Sequence, residues 1–216
     1  MLFRSLRPEA LERAIAADRA AGMRPVAVVG VLGTTSTTSV DPLAAIGAIA
    51  RREGLWFHVD AAYAGVTGCV PEFRHHMAGT ELADSLVVNP HKWLFTPFDL
   101  SAFYSRHMDL VRAVFSLTPE YLKTAEGDAG MVHNLMDTGV QLGRRFRALK
   151  LWMVMRSFGA GGLCDELSRH IDLAQQLAAW VDAHPDFTRV APAPFSVVCR
   201  SEEHTSELQS RGLISY

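Results

Sequence analysis

Apolar residues along this chain come in short runs that alternate between strand-like and helix-like spacing. Pro8 to Ala21 reads as an amphipathic helix, with Pro8 in its first turn and Gly22 just past its end. Val26 to Leu32 is a strand of β-branched and aliphatic residues, and a hydroxyl-rich loop, Gly33 to Ser39, leaves it. Asp41 and Pro42 fit the N-cap and first position of a helix ending near Arg52. Two further apolar runs, one ending at Asp60 and the other spanning Ser85 to Val88, read as buried parallel strands. A short helix is expected around Arg74 to Met77, a strand over Leu100 to Tyr104 and a helix over His107 to Phe115. Residues 116–138 lose periodicity, as a lid loop does. Helices follow over Arg144 to Phe158 and Leu163 to Val181, then strands over Phe187 to Val190 and Phe195 to Cys199. The alternation predicts an α/β fold with a mainly parallel sheet.

The polar residues that end the buried strands change the picture from fold to chemistry. Asp60 closes one strand, and Asn89-Pro90 stops the next. Two residues further on stands Lys92, followed by Trp93, Leu94 and Phe95. The chain between the strands is long enough for one right-handed crossover, so the two ends share a sheet edge. That edge is where open α/β sheets bind ligands. Apolar neighbours favour the neutral, nucleophilic amine of a lysine. A carboxylate aimed at a pyridinium nitrogen, with a lysine to form an imine, is what pyridoxal phosphate requires of a protein. Ala61 and Ala62 leave room for a flat ring against the backbone.

Bulk properties narrow the classes. A net charge of −2 over 216 residues offers no field for nucleic acid or an anionic membrane. Cys69, Cys164 and Cys199 lie far apart without a pairing pattern, which fits a reducing cytoplasm. No apolar run approaches the roughly twenty residues that span a bilayer, and Met1 to Arg4 lacks the apolar core of a signal peptide. His58, His75, His76 and His91 lack HExxH or CxxC partners, and adjacent His75 and His76 cannot share a helix face, so no metal is expected. Gly30 and Gly33 do not make a GxGxxG fingerprint, which excludes a nicotinamide site. Arg144, Arg145 and Arg147 read as a solvated or interface helix start.

HVDAAYAG (58–65) followed by NPHKW (89–93) resembles the group II pyridoxal-phosphate-dependent decarboxylases of the aromatic-L-amino-acid type. The resemblance continues through LGTTSTTSVDPL, PEFRH, TPEYLK and LGRRFRALKLW and covers nearly all of residues 1–199. It implies part of a fold-type I, aspartate-aminotransferase-like large domain over 1–148, with helices on both sheet faces. The start of a small α+β C-terminal domain is implied over 149–199. It implies Lys92 as the imine-forming lysine and Asp60, Thr35, Asn89, Ala62 and His91 as cofactor contacts, Asn89 toward the phosphate. His91 and Tyr121 join Lys92 as catalytic candidates, with Tyr121 on the lid returning a proton to the substrate Cα. The implied reaction converts an aromatic L-amino acid to its amine and carbon dioxide in a cytoplasmic homodimer. Three alternatives stay open: an aldehyde synthase, a decarboxylase of acidic or diamino substrates, or a non-catalytic fragment. PEFRH and TPEYLK favour the aromatic group, and Tyr121 favours a decarboxylase, since members with phenylalanine there tend toward aldehyde products. Residues 200–216 read as a translated sequencing-adapter tail, and the resembling enzymes carry a large segment before this point, so the chain is expected to be a fragment.

Overall fold

In the computed structural model, residues 5–116 and 134–202 are described. Strands β1 (Ala27–Val31), β2 (Trp56–Asp60) and β3 (Ser85–Val88) pair in parallel, and β4 (Ala102–Ser105) runs antiparallel to β3, giving the order β1-β2-β3-β4. Helix α1 (Pro8–Ala20) precedes β1, and α2 (Leu43–Glu53) makes the crossover from β1 to β2. Alternation along the strands sends Val28, Gly30, Phe57 and Val59 to the interior, where Leu43, Ile46 and Ile49 of α2 meet them. Gly30 is required by that contact: a Cβ there would lie 2.7 Å from Leu43 Cδ2. The expected helices on both faces are met on one face among the described residues. On the other face Val29 is 49% exposed, and Trp56 and His58 are half-buried around the Ser85 hydroxyl, each 2.8 Å from it.

Past β3 come a one-turn helix α3 (Pro90–Trp93), β4, and α4 (Met108–Phe115). The long helix α5 (Ala148–Ala183) is broken at Gly159, whose φ of 70° and ψ of 170° leave the helical region. The two expected helices are therefore present, with the break one residue past Phe158. The first starts at Ala148 rather than Arg144; ahead of it Arg147 turns its guanidinium to Asp99 (3.1 Å) and Arg145 also faces that carboxylate (3.7 Å). Leu167 and Ile171 of the second half join Ala61, Ala64, Val66 and Phe195 in the same core as the sheet.

Three local expectations are corrected. Asp41 does not cap α2. Its carboxylate, 8% exposed, accepts the N–H of Leu6 (2.6 Å) and of Val31 (2.8 Å), stitching the segment before α1 to β1. Phe195 to Cys199 is not a strand. Phe195 is buried in the core, and pairing with β5 (Phe187–Arg189) falls to β6 (Arg200–Glu202), with Val190 N–H reaching Cys199 O at 3.0 Å. The segment around Arg74 is a 3-10 helix, Pro71–Met77. It brings the His75 and His76 rings to 3.9 Å, so adjacency does not separate them as helical spacing implied.

Two predictions follow from this packing. Asp41→Ala strands two backbone donors and should destabilise the chain by about 2–4 kcal/mol, read as a lower urea midpoint with an unchanged slope. His76 packs edge-on to Phe195 at 5.0 Å, and burial, then His75, push its imidazole below the ordinary value. Unfolded His76 therefore takes up a proton that folded His76 resists. Its contribution holds above about pH 6.5 and is lost as pH falls through the depressed folded value. Urea midpoints measured through that range should decline less on acidification in His76→Phe than in the unaltered chain.

Candidate active site

The site is built by register. Val31 pairs with Asp60 and Asp60 with Val87, so the three parallel strands end level at one sheet edge. Backbone bonds extend that alignment into the loops: Leu32 N–H to Asp60 O (2.8 Å), Ala61 N–H to Val87 O (3.0 Å) and Asn89 N–H to Ala62 O (3.0 Å). Thr35, Asp60, Ala62, Asn89, His91 and Lys92 all lie at or beyond this edge. Tyr121, the other expected site residue, lies outside the described residues.

Each loop holds its chemistry differently. After β1, Thr34 Oγ1, Thr37 Oγ1 and Ser39 Oγ form a chain of hydrogen bonds at 3.1 and 2.8 Å, and Ser39 N–H donates to Thr34 Oγ1 at 3.1 Å. This network leaves Thr35 exposed, with no side-chain hydrogen bond among the described residues. Thr38 beside it is 1% exposed, sits at φ 53°, and carries a buried hydroxyl without a partner among the described residues. At the end of β2, Asp60 Oδ1 accepts the N–H of Ala62 (3.0 Å), while Oδ2 is unpaired among the described residues. After β3, Asn89 Oδ1 accepts the Ser101 hydroxyl, which leaves the amide N–H₂ as a free donor among the described residues. His91 Nδ1 faces the backbone of Leu100, 3.0 Å from its N–H and also against its carbonyl, so Nε2 is the nitrogen left for a ligand.

Lys92 is exposed, and its amine makes no bond to another side chain among the described residues. The apolar neighbours expected to enclose it do not. Trp93 turns away and buries its ring, 5% exposed, against Tyr63 at 4.9 Å and 7°. Lys92 instead lines a groove of about 450 Å³ with Tyr63, Trp93, His170 and Ser196. Tyr63, His170 and Ser196 were not singled out from the sequence. Tyr63 stands inside HVDAAYAG, but nothing local marks a residue that Trp93 meets from 77 positions away. Burial pushes the Tyr63 phenol above its ordinary value, and its hydroxyl is hydrogen-bonded to Ser196 Oγ.

The donor set fits a flat, phosphorylated pyridinium. One carboxylate oxygen is free for a ring N–H, an uncommitted amine stands one strand over, and Ala61 and Ala62 place no atoms beyond Cβ beside them. An amide N–H₂ and the free Thr35 hydroxyl supply neutral donors for oxygen atoms. Among the described residues no helix is long and apolar enough to cross a membrane.

Comparison with known proteins identifies the family. Residues 3–201 match the model of the pyridoxal-dependent decarboxylase conserved domain. Phenylacetaldehyde synthase from Arabidopsis thaliana is 45% identical over 90% of this chain and 40% of its own length. Aromatic-L-amino-acid decarboxylase from Mus musculus is 40% identical over 94% of this chain and 42% of its own. A crystal structure of Oryza sativa TDC with PLP and tryptamine superposes with a TM-score of 0.89 at 41% identity, covering 92% of this chain and 41% of that one. The chain thus spans about 40% of the length of the relatives it matches. With the family model matched from residue 3 to residue 201, the chain belongs to the pyridoxal-dependent decarboxylase family.

Proposed function

We propose that this chain forms the lysine-bearing part of an enzyme that decarboxylates an aromatic L-amino acid to its amine and carbon dioxide with pyridoxal 5'-phosphate. The observation that carries the reading is the common edge of β1, β2 and β3, where, among the described residues, Asp60 keeps an unpaired oxygen and Lys92 an uncommitted amine. When bound, the cofactor supplies an electron sink for the pair left as the Cα–carboxylate bond breaks. Lys92 would hold the cofactor through its amine, and that amine, when free, could carry protons nearby. Asp60 Oδ2 would accept the ring N–H and hold that proton in place. Asn89 would donate from its amide to the phosphate, Thr35 would contribute a hydroxyl, and Ala62 would leave room for the ring. His91, tied to Leu100 through Nδ1, offers Nε2 over the same site. Tyr121, outside the described residues, would return a proton to the substrate Cα.

A cytoplasmic homodimer is part of the same reading. Free thiols at Cys69, Cys164 and Cys199 support a reducing compartment. Trp152, Met153 and Met155 on the first half of α5 are each more than half exposed, an apolar stretch of the kind that assembly covers. We place the boundary between the large and small domains near residue 148, where α5 begins.

An aldehyde synthase on the same scaffold is the second reading, since the 45% identical relative is a phenylacetaldehyde synthase. Two measurements test these assignments. Borohydride reduction of the chain with pyridoxal phosphate, followed by peptide mapping, should place the pyridoxyl group on Lys92 in excess of Lys123 and Lys150, its other lysines. Preference for either of those two removes the basis of the reading. In the decarboxylase itself, Tyr121→Phe should lower amine formation about 100-fold and, consuming dioxygen and water, yield aldehyde, ammonia and peroxide, with cofactor still bound. Amine at the parental rate would mean that the proton comes from elsewhere.

A further inference from the structure

Lys92 belongs to a helix of a single turn, and one turn of helix does not hold itself in water because its nucleus costs more than its bonds return. At its ends the backbone offers Lys92 N–H to Asn89 O (2.9 Å) and Leu94 N–H to Pro90 O (3.1 Å). The lysine side chain adds no anchor of its own. Its place is therefore set by its neighbours. On one side His91 is fastened to Leu100. On the other, Trp93 is fastened to parts of the chain far from it in sequence. The indole N–H donates to His170 Nδ1 on the second half of α5 (3.2 Å), the ring lies flat on Tyr63, and Phe195 stands edge-on at 6.2 Å. The Tyr63 hydroxyl in turn bonds Ser196, one residue past Phe195. His170 is itself held by the edge of Phe95 at 5.5 Å, and Phe95 stacks on Phe158 at 5.8 Å.

We propose that His170, with Tyr63 and Ser196, is a positioning residue for Lys92: a latch that grips Trp93 and thereby sets where the neighbouring amine stands. The inference rests on the reading of Lys92 as the cofactor lysine. A buried indole N–H needs an acceptor, and His170 Nδ1 is the one it has. The bond requires His170 to be neutral with its proton on Nε2, so Nδ1 can accept. Without that acceptor Trp93 has reason to swing toward water, and α3, too short to resist, follows it. Tyr63 and Ser196 close the other side, tying the residue after the Asp60 loop's small alanines to the C-terminal segment. The lysine edge of the sheet and the C-terminal part of the chain are thus mechanically one piece.

The test reads imine formation rather than turnover. The full chain is incubated with pyridoxal phosphate and reduced with borohydride, and the pyridoxyl ratio of Lys92 to Lys150 is measured by peptide mapping. Lys150, whose amine bonds Pro97 O at 2.8 Å on the surface, serves as internal reference. His170→Leu should lower the ratio about tenfold, and His170→Asn, whose Oδ1 takes the place of Nδ1, should restore it to within about twofold. Trp93→Phe keeps a ring to stack but lacks the N–H and should match His170→Leu, and the double variant should lose no more than either single one. Rescue by asparagine together with this non-additivity separates positioning from general loss of structure. If His170→Leu does not fold, Tyr63→Phe and Ser196→Ala, each missing one hydroxyl of the same latch, carry the comparison. An unchanged ratio in the folded variants, or losses that multiply in the double variant, overturns the latch. Wild-type chain that labels Lys92 no better than Lys150 overturns the cofactor reading, and the latch with it.

Discussion

The parallel pairing of β2 with β3 is the constraint from which the site follows. A parallel pair cannot be closed by a tight turn, so the chain from Asp60 to Ser85 must travel back to the starting edge. It does so through 3-10 segments (Ala64–Cys69, Pro71–Met77 and Thr80–Leu82), and the return fixes His58 opposite Ser85 and Asp60 opposite Val87. A slip of one residue would turn Asp60 to the face packed by α2 and aim Val59 at the ligand edge, because side chains alternate. The interior positions forbid that slip. Phe57 and Val59 are buried almost completely, and the Phe57 N–H is taken by Asp84 Oδ2 at 2.8 Å, just ahead of β3. Core packing on one face thus dictates the chemistry presented at the end of the strands.

Strain collects at the same edge. Thr38 holds a left-handed backbone that a β-branched residue disfavours, with a buried hydroxyl left unpaired among the described residues. Phe95, three residues past Lys92, is also left-handed at φ 54°. Each such residue costs about 1–3 kcal/mol and persists only where its surroundings over-determine it. For Phe95 those surroundings are visible in the rings of Phe158 and His170. For Thr38 they are the backbone bond to Thr34 O at 2.8 Å and the hydroxyl network of its loop. Rigid loops of this kind present Thr35 and Lys92 outward without using either one internally, which is the condition for a pre-set binding edge.

What was legible in the sequence is what is local. Apolar runs that end in Asp60 and in Asn89-Pro90 announce strand and terminus within a few residues, and the family strings add the pairing of roles. What was not legible depends on distant partners. Asp41-Pro42 carries a sound N-cap signal, yet the carboxylate is claimed by Leu6, 35 positions away, and by Val31. Lys92 is followed by three bulky apolar residues, and nothing in that order says that Trp93 will turn to α5 and leave the amine exposed. Phe195 to Cys199 has strand composition, but Phe195 is drawn into the core, and the ladder with β5 can begin only beyond it.

The break at Gly159 shows how a single backbone position decides which of these distant contacts form. Before it, Leu149, Trp152, Met153, Met155 and Phe158 of α5 are exposed. After it, Leu163, Leu167, Ile171, Ala174, Ala178 and Val181 are buried at helical spacing along one face. An unbroken helix would carry one apolar stripe straight through and could not seat the second half independently of the first. At φ 70° and ψ 170° glycine gives the chain a conformation that a side chain would resist, and no atom outside its own neighbours crowds the place of a Cβ. The cost of any replacement there is therefore backbone strain rather than collision. Straightening the break would move His170 relative to Trp93 before it disturbed the sheet, since the sheet's own bonds do not pass through α5. The residue that sets the direction of the helix thus lies far in sequence from the lysine whose surroundings depend on it.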